Sequence, residues 1–339
     1  MATRSERHKH RKKSGWIKKT VLGVLFFALL GVLIFAYQTF SATKNSIDDM
    51  YKFSKSTSKN KIETLKKDGA ETKISILLMG LDNDSERNLG STRTDSLIYL
   101  VYDGEAKEIQ MVAIPRDIYT NIYDENGNIQ FQSKINSAYT LNEEDSTIET
   151  VKNYLDLPVD YFATVNFISF KQIIDAVGGI EVDVPYDINE KYTTDNSGKV
   201  LIPKGKQHLN GEQALIFSRI RKVDDDIQRG NRQQEVIKAT IKETLSINSI
   251  AKYQEILDSV RGNVRTNLTF DNLTSLAGNM LEGFEIKTNT FEWYDEYIGD
   301  ESVIFIKDES YQQIRNQLLT SLGLPSDYTL HTDNVVNQY

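Results

Sequence analysis

The stretch Ile74-Ser75-Ile76-Leu77-Leu78-Met79-Gly80 decides the fold. Five of its seven residues are large and apolar, none is charged, and a glycine closes it. A run this short and this apolar reads as a buried strand. Two more such runs follow, Leu97–Tyr102 and Ile109–Ile114, with a turn signal at Asp103-Gly104 between them. Helical signals then alternate with strands. Ser146-x-x-Glu149 has the form of a capping box opening a helix to Leu155. Tyr161–Phe167 reads as a strand, and Ser169 as the cap of a helix that stops at Gly178-Gly179. Ile180–Val184 is a further strand. From Arg232 to about Leu245 the spacing predicts a helix with Val236, Ile237, Thr240 and Ile241 on one side. The order predicts an α/β fold, a mixed central sheet flanked by helices as an α/β/α sandwich.

Upstream, the chain changes character. Residues 1–19 carry eight Lys/Arg against one acid, Glu6, so a tail of +7 leaves −15 for the rest of a chain whose total is −8. No charged residue occurs from Thr20 to Thr43, and Val21–Tyr37 is unbroken apolar, aromatic or glycine. Such a run crosses a hydrocarbon layer of roughly 30 Å as one helix. Trp16 and Tyr37 sit at its interfaces, and the basic side marks the cytoplasmic end. The expectation is a single N-terminal transmembrane helix in the type II sense, with the body outside the cell membrane. A cleaved signal peptide is the rival reading, though its apolar region is normally about 7–15 residues. The domain layout expected is a basic cytoplasmic tail (1–19), an anchor (20–40), a Lys-rich extracellular stalk (41–72), a catalytic body (73–325) and a polar, frayed tail (326–339).

Composition excludes whole classes of chemistry. With no cysteine in 339 residues there is no disulfide, no Cys-ligated metal and no thiol nucleophile. Only four histidines are present, two of them in the basic tail, which argues against a His-rich metal centre. Phosphate-loop, G-x-S-x-G and H-E-x-x-H patterns are absent. An acidic exported body also argues against nucleic acid as a partner.

Two sets of residues carry candidate chemistry. Asp82 follows the first strand and Asp95 precedes the second; carboxylates at strand ends suit a hard cation such as Mg²⁺, and equally suit turns. Beyond residue 19 there are ten arginines, of which Arg219, Arg221, Arg229 and Arg232 fall within fourteen residues. Arg219 and Arg221 share a face if the segment is extended, and Arg229 and Gln233 share one if it is helical. Arg116 ends another strand. Planar guanidinium forks fit phosphate. The neighbouring Asp224-Asp225-Asp226 leaves a salt-bridged surface as the alternative. Asn267-Leu268-Thr269 fits the glycosylation pattern, Ile98 and Val165 read as core, and Asp103 as a turn acid without a role.

The wording of the sequence adds more. Met79-Gly80-Leu81-Asp82, Arg93-Thr94-Asp95-Ser96, Ile114-Pro115-Arg116-Asp117, Lys134-Ile135-Asn136-Ser137-Ala138-Tyr139 and Leu209-Asn210-Gly211-Glu212-Gln213-Ala214-Leu215 occur in order. Val159-Asp160-Tyr161-Phe162 and Val177-Gly178-Gly179-Ile180 lie among them. Arg219-Ile220-Arg221 with Asp226-x-x-Arg229-x-x-Arg232-Gln233 completes the set over roughly residues 73–245. This ordered set resembles the LytR–CpsA–Psr family, and Asn263–Leu273 resembles its wall teichoic acid type. The resemblance implies a membrane-anchored phosphotransferase that moves a glycopolymer from a polyprenyl pyrophosphate carrier to a peptidoglycan acceptor. It implies Asp82 and Asp95 as Mg²⁺-linked carboxylates and Arg93, Arg116, Arg219, Arg221, Arg229 and Gln233 as the pyrophosphate grip. Asp226 is implied as the base, with orientation of Arg229 as its other role. A polyprenyl pyrophosphate-binding hydrolase and an envelope regulatory protein are the rival functions.

Overall fold

The computed structural model describes residues 49–57, 73–81, 93–192, 198–220, 226–245, 263–280 and 283–330. The basic tail and the apolar run 20–40 lie outside them. Among the described residues no helix is long and apolar enough to cross a membrane.

In chain order the elements are β1 (Lys73–Leu81), β2 (Thr94–Asp103), β3 (Glu108–Ile114), β4 (Tyr119–Tyr123), β5 (Ile129–Lys134), α1 (Tyr139–Leu155), β6 (Tyr161–Asn166) and α2 (Phe167–Val177). Then come β7 (Ile180–Val184), β8 (Ile188–Lys191), β9 (Lys199–Ile202), β10 (Gly205–Leu209), α3 (Gly211–Arg219) and α4 (Asp226–Thr244). The last are β11 (Val264–Thr266), α5 (Phe270–Met280), β12 (Glu285–Thr290), β13 (Trp293–Ile298), β14 (Glu301–Ile306) and α6 (Asp308–Leu322).

The expected mixed sheet is present: six strands in the order β11-β6-β1-β2-β3-β12. β1 is its hub, antiparallel to β2 and parallel to β6. Side chains alternate between faces along each strand. Leu77, Met79, Leu97, Tyr99 and Val101 face one layer, packed with Ile148, Val151 and Leu155 of α1 and Ile314 and Leu318 of α6. Ile74, Ile76, Ile98, Leu100 and Met111 face the other, against Leu276 of α5 and the half-buried Ile237 and Ile241 of α4. A third cluster joins α2, α3 and α4 to β7 and β10. Helices therefore cover both faces of the sheet.

Local details correct two readings of helix starts. The Ser146 box is not a cap, because α1 begins at Tyr139 and breaks at Asn142 and Glu143, leaving Ser146 inside its second segment. The Ser146 hydroxyl is buried and makes no hydrogen bond among the described residues. In α2 the cap is Asn166, which accepts from the Ser169 backbone N–H at 2.8 Å, while the Ser169 side chain returns the bond. Ser169 is thus the third helical residue of a reciprocal box, not the cap. Gly178 ends α2 in the left-handed region at φ 99°, as the Gly-Gly stop predicts.

Asn267 of the glycosylation pattern is buried. It accepts from Phe162 N–H at 2.8 Å and donates to the Asp160 carbonyl at 3.1 Å, so it is a structural link and not a sugar acceptor. Within the segment read as stalk, residues 49–57 lie against the sheet edge: Lys52 N–H donates to Thr266 O at 2.7 Å and Met50 is buried. The start of the polar tail is also tied down rather than frayed, since Arg315 donates to Tyr328 O and Leu330 N–H donates to Asp156. Residues 331–339 lie outside the described residues.

Candidate functional site

The parallel pair β1 and β6 ends at one edge of the sheet, with Gly80 opposite Val165 and Leu81 opposite Asn166. Crevices at the carboxyl ends of parallel strands are the usual place for ligands in α/β sheets. Here a cavity of about 500 Å³ opens there. Leu78, Ala163 and Val165 form part of its floor, and α2, α3 and α4 cover it. Val165, read as core, lines this cavity instead; Ile98 is core.

Helix α4 sets the character of the cavity along its length. Arg229, Gln233, Val236, Ile237, Thr240 and Ile241 all line it. Their spacing by three, four and one keeps them on one side of a helix. The stripe runs from charged to apolar over twelve residues, or roughly 18 Å at 1.5 Å per residue. From α2, Phe167, Phe170, Ile173 and Ile174 add a second apolar stripe. One end of the cavity is apolar and the other, called the mouth below, is cationic.

At the mouth stand Arg116, Arg219 and Arg229, with Asp95 as the one acid lining it among the described residues. Arg116 leaves β3 through Pro115 and makes a short ion pair with Asp95. Its Nε lies 3.4 Å from Asp117, which pairs in turn with Lys134 at 3.3 Å. Arg219 is the last residue of α3, not part of an extended segment as its pairing with Arg221 assumed. Its guanidinium lies 4.1 Å from the centre of the Phe167 ring, a cation–π contact that orients it. Ser96 donates to the Gln233 side-chain oxygen at 3.0 Å, joining α4 to the sheet. Gly80 permits that approach, because a Cβ there would lie 3.1 Å from Ser96 Cβ.

Arg232 separates from its neighbours. It is buried and donates to the carbonyls of Phe217, at 2.9 Å, and of Ile220. Those carbonyls are among the unsatisfied acceptors at the end of α3. Arg232 therefore fixes where α3 stops and where Arg219 stands.

Of the residues picked from sequence, Asp95, Arg116, Arg219, Arg229 and Gln233 come together on one cavity. Arg93 stands exposed just before β2 and is not among the lining residues. Asp82 and Arg221 lie outside the described residues. Of Asp226 only the backbone is described, as the first residue of α4. The apolar lining was missed, and only the stripe Val236, Ile237, Thr240 and Ile241 signalled it. Among the described residues no group of three His, Cys, Asp or Glu side chains forms a metal cage. A hard cation at a phosphate site needs only one or two carboxylates, the substrate's phosphates supplying the rest. Asp95 meets part of that need, and the buried Thr94 hydroxyl beside it makes no hydrogen bond among the described residues.

Fold and cavity together define an α/β protein whose pocket matches a molecule with an anionic head and an apolar tail. The chain belongs to the LytR_cpsA_psr family, whose sequence model matches residues 32–320. It is 34% identical over 304 residues to the polyisoprenyl-teichoic acid–peptidoglycan teichoic acid transferase TagV of Bacillus subtilis (strain 168), across 87% of this chain and 74% of that one. The crystal structure of B. subtilis TagV matches with a TM-score of 0.65 at 33% identity, over 75% of this chain and 99% of that one. The structure of TagT bound to LIIa-WTA matches with a TM-score of 0.63 at 28% identity, over 76% and 93% of the two chains.

Proposed function

We propose that this chain is a phosphotransferase that moves a glycopolymer of the teichoic acid class from a membrane polyprenyl pyrophosphate to peptidoglycan. The carrying observation is one cavity whose lining runs, over about 18 Å of α4, from a cationic end with three arginines to an apolar end. Polyprenyl pyrophosphate has that division of charge and grease. Relatives named as teichoic acid transferases support the polymer class.

In the reaction, an acceptor hydroxyl oxygen attacks the phosphorus that bears the polymer. A new P–O bond forms as the bond from that phosphorus to the bridging oxygen breaks. The bridging oxygen leaves with its electron pair as part of polyprenyl phosphate. We assign the hydroxyl proton to the carboxylate of Asp226. Arg116, Arg219 and Arg229 hold the pyrophosphate and neutralise charge developing on its oxygens. Gln233, tied to Ser96, fixes the face of α4 from which Arg229 projects. Asp95 and Asp82 are our proposed holders of Mg²⁺, which when bound supplies further charge neutralisation. The apolar run 20–40 anchors the body outside the membrane in this reading, beside its lipid donor.

The test supplies the full chain in nanodiscs with a polyprenyl pyrophosphate-linked polymer precursor and uncross-linked peptidoglycan, with and without Mg²⁺. The expected result is polymer-bearing peptidoglycan and an equal amount of polyprenyl phosphate, both lost on chelation. Release of polyprenyl phosphate at an undiminished rate, with no polymer on the acceptor, would replace the transferase by a hydrolase.

A further inference from the structure

An aromatic strip begins at Tyr119, three residues after the cavity-lining Arg116. The β13–β14 hairpin docks on the segment that follows Arg116: Ile304 N–H donates to Asp117 O at 3.1 Å, and Ile118 pairs with Ile304. Next along, Tyr119 and Phe305 lie with ring centres 6.1 Å apart, and Phe305 stacks on Tyr294 at 5.8 Å and 22°. Tyr294 is 51% exposed, so the far end of the strip faces solvent. Beside Tyr119 on the same face of β4 is Asn121, whose side chain accepts from Gln132 at 2.9 Å. Neither the cavity nor the proposed chemistry uses any of these side chains.

Aromatic faces flanked by amides suit pyranose rings, whose apolar C–H faces stack while hydroxyl and acetamido groups bond to amides. Charge decides which glycan is meant. From Trp293 to Ile306 the hairpin carries Asp295, Glu296, Asp300 and Glu301 and no Lys or Arg. A polymer of phosphates is repelled there, while a chain of neutral N-acetylhexosamines is not. We propose that Tyr119, Phe305 and Tyr294 hold the glycan strand of the peptidoglycan acceptor beyond the reacting sugar. This deepens the transferase reading and rests on it for the identity of the acceptor.

The test uses the full chain in nanodiscs and two probes, a peptidoglycan disaccharide and a longer uncross-linked glycan strand. Binding is measured without donor, and transfer separately with it. Tyr294→Ala should raise the Kd and the acceptor KM for the long strand by about tenfold, the worth of one stacked ring. KM for the disaccharide and for the lipid donor should stay within about twofold. Tyr294→Trp should restore the long-strand values. Unchanged long-strand binding in Tyr294→Ala, or no binding of the strand by the parent, would overturn the inference. So would a loss confined to donors with long polymers, which would assign the strip to the donor. If the parent binds the strand, Tyr294→Ala weakens it and no transfer occurs, the strip stands and the transferase reading fails.

Discussion

Arg219 and Arg232 are thirteen residues apart in one cluster of arginines, yet they do different work. Arg219 looks into the cavity over the Phe167 ring, whereas Arg232 is spent on carbonyls at the end of α3. Loss of Arg219 should therefore cost turnover by about 10²–10³, the usual effect of removing one donor to a transition-state oxyanion. Arg219→Lys should recover little, because an ammonium has no fork and stacks less well on an aromatic face. Steady-state kinetics with the lipid donor checks both. A second prediction concerns space. A Cβ on Gly211 would collide with the backbone of Lys171, while one on Gly278 meets nothing within 4 Å. Gly211→Ala should destabilise by about 1–3 kcal/mol. Gly278→Ala, on an exposed helical position, should stabilise by up to about 1 kcal/mol. Denaturant titration separates the two.

At the scale of elements, α1 and the segment 49–57 are tied together by charge. Glu143 sits at φ 47° at the break in α1 and pairs with Lys52 at 2.7 Å and Arg265 at 3.0 Å. The hydrogen bond from Lys52, then the charges of Arg265 and Lys52, hold its carboxyl below the usual glutamate range against the opposing effect of burial. A folded pKa below the unfolded one means stability that is full above about pH 4.3 and lost as pH falls through the depressed value. Glu143→Gln should thus lower the melting temperature at pH 7, on the order of 1–2 °C for a half-exposed pair. The difference from the parent should close below about pH 4. Thermal melts at the two pH values test this. None of that strap was legible: a break at Glu143 has no sequence signal, and the S-x-x-E pattern three residues on drew the helix start to the wrong place. The strands β1, β2 and β3 were legible because each is an uninterrupted apolar run. β12 was not, because Glu285-Ile286-Lys287-Thr288-Asn289-Thr290 reads as polar and gains its place only by pairing with β3.

Across the whole molecule, the sandwich makes the site by failing to close. On the cavity side, β1 and β6 offer Leu78, Ala163 and Val165, and the covering helices leave about 500 Å³ above them. Those residues look like core in sequence, since nothing local separates a side chain that packs from one that lines a space. The arginines were easier to find, because cations clustered in an acidic body stand out. Sequence left phosphate grip and salt-bridged surface open; the structure adds that Arg116, Arg219 and Arg229 line one cavity, with Asp95 the one acid lining it among the described residues. The central claim is that head and tail of one lipid pyrophosphate occupy this one cavity. Its most direct measurement is the equilibrium Kd of the full chain for a polyprenyl pyrophosphate-linked disaccharide, compared among the parent, Arg219→Ala at the mouth and Ala163→Phe at the floor. Both variants should bind at least about tenfold more weakly, one through the head and one through the tail. A Kd unchanged in both would contradict the account.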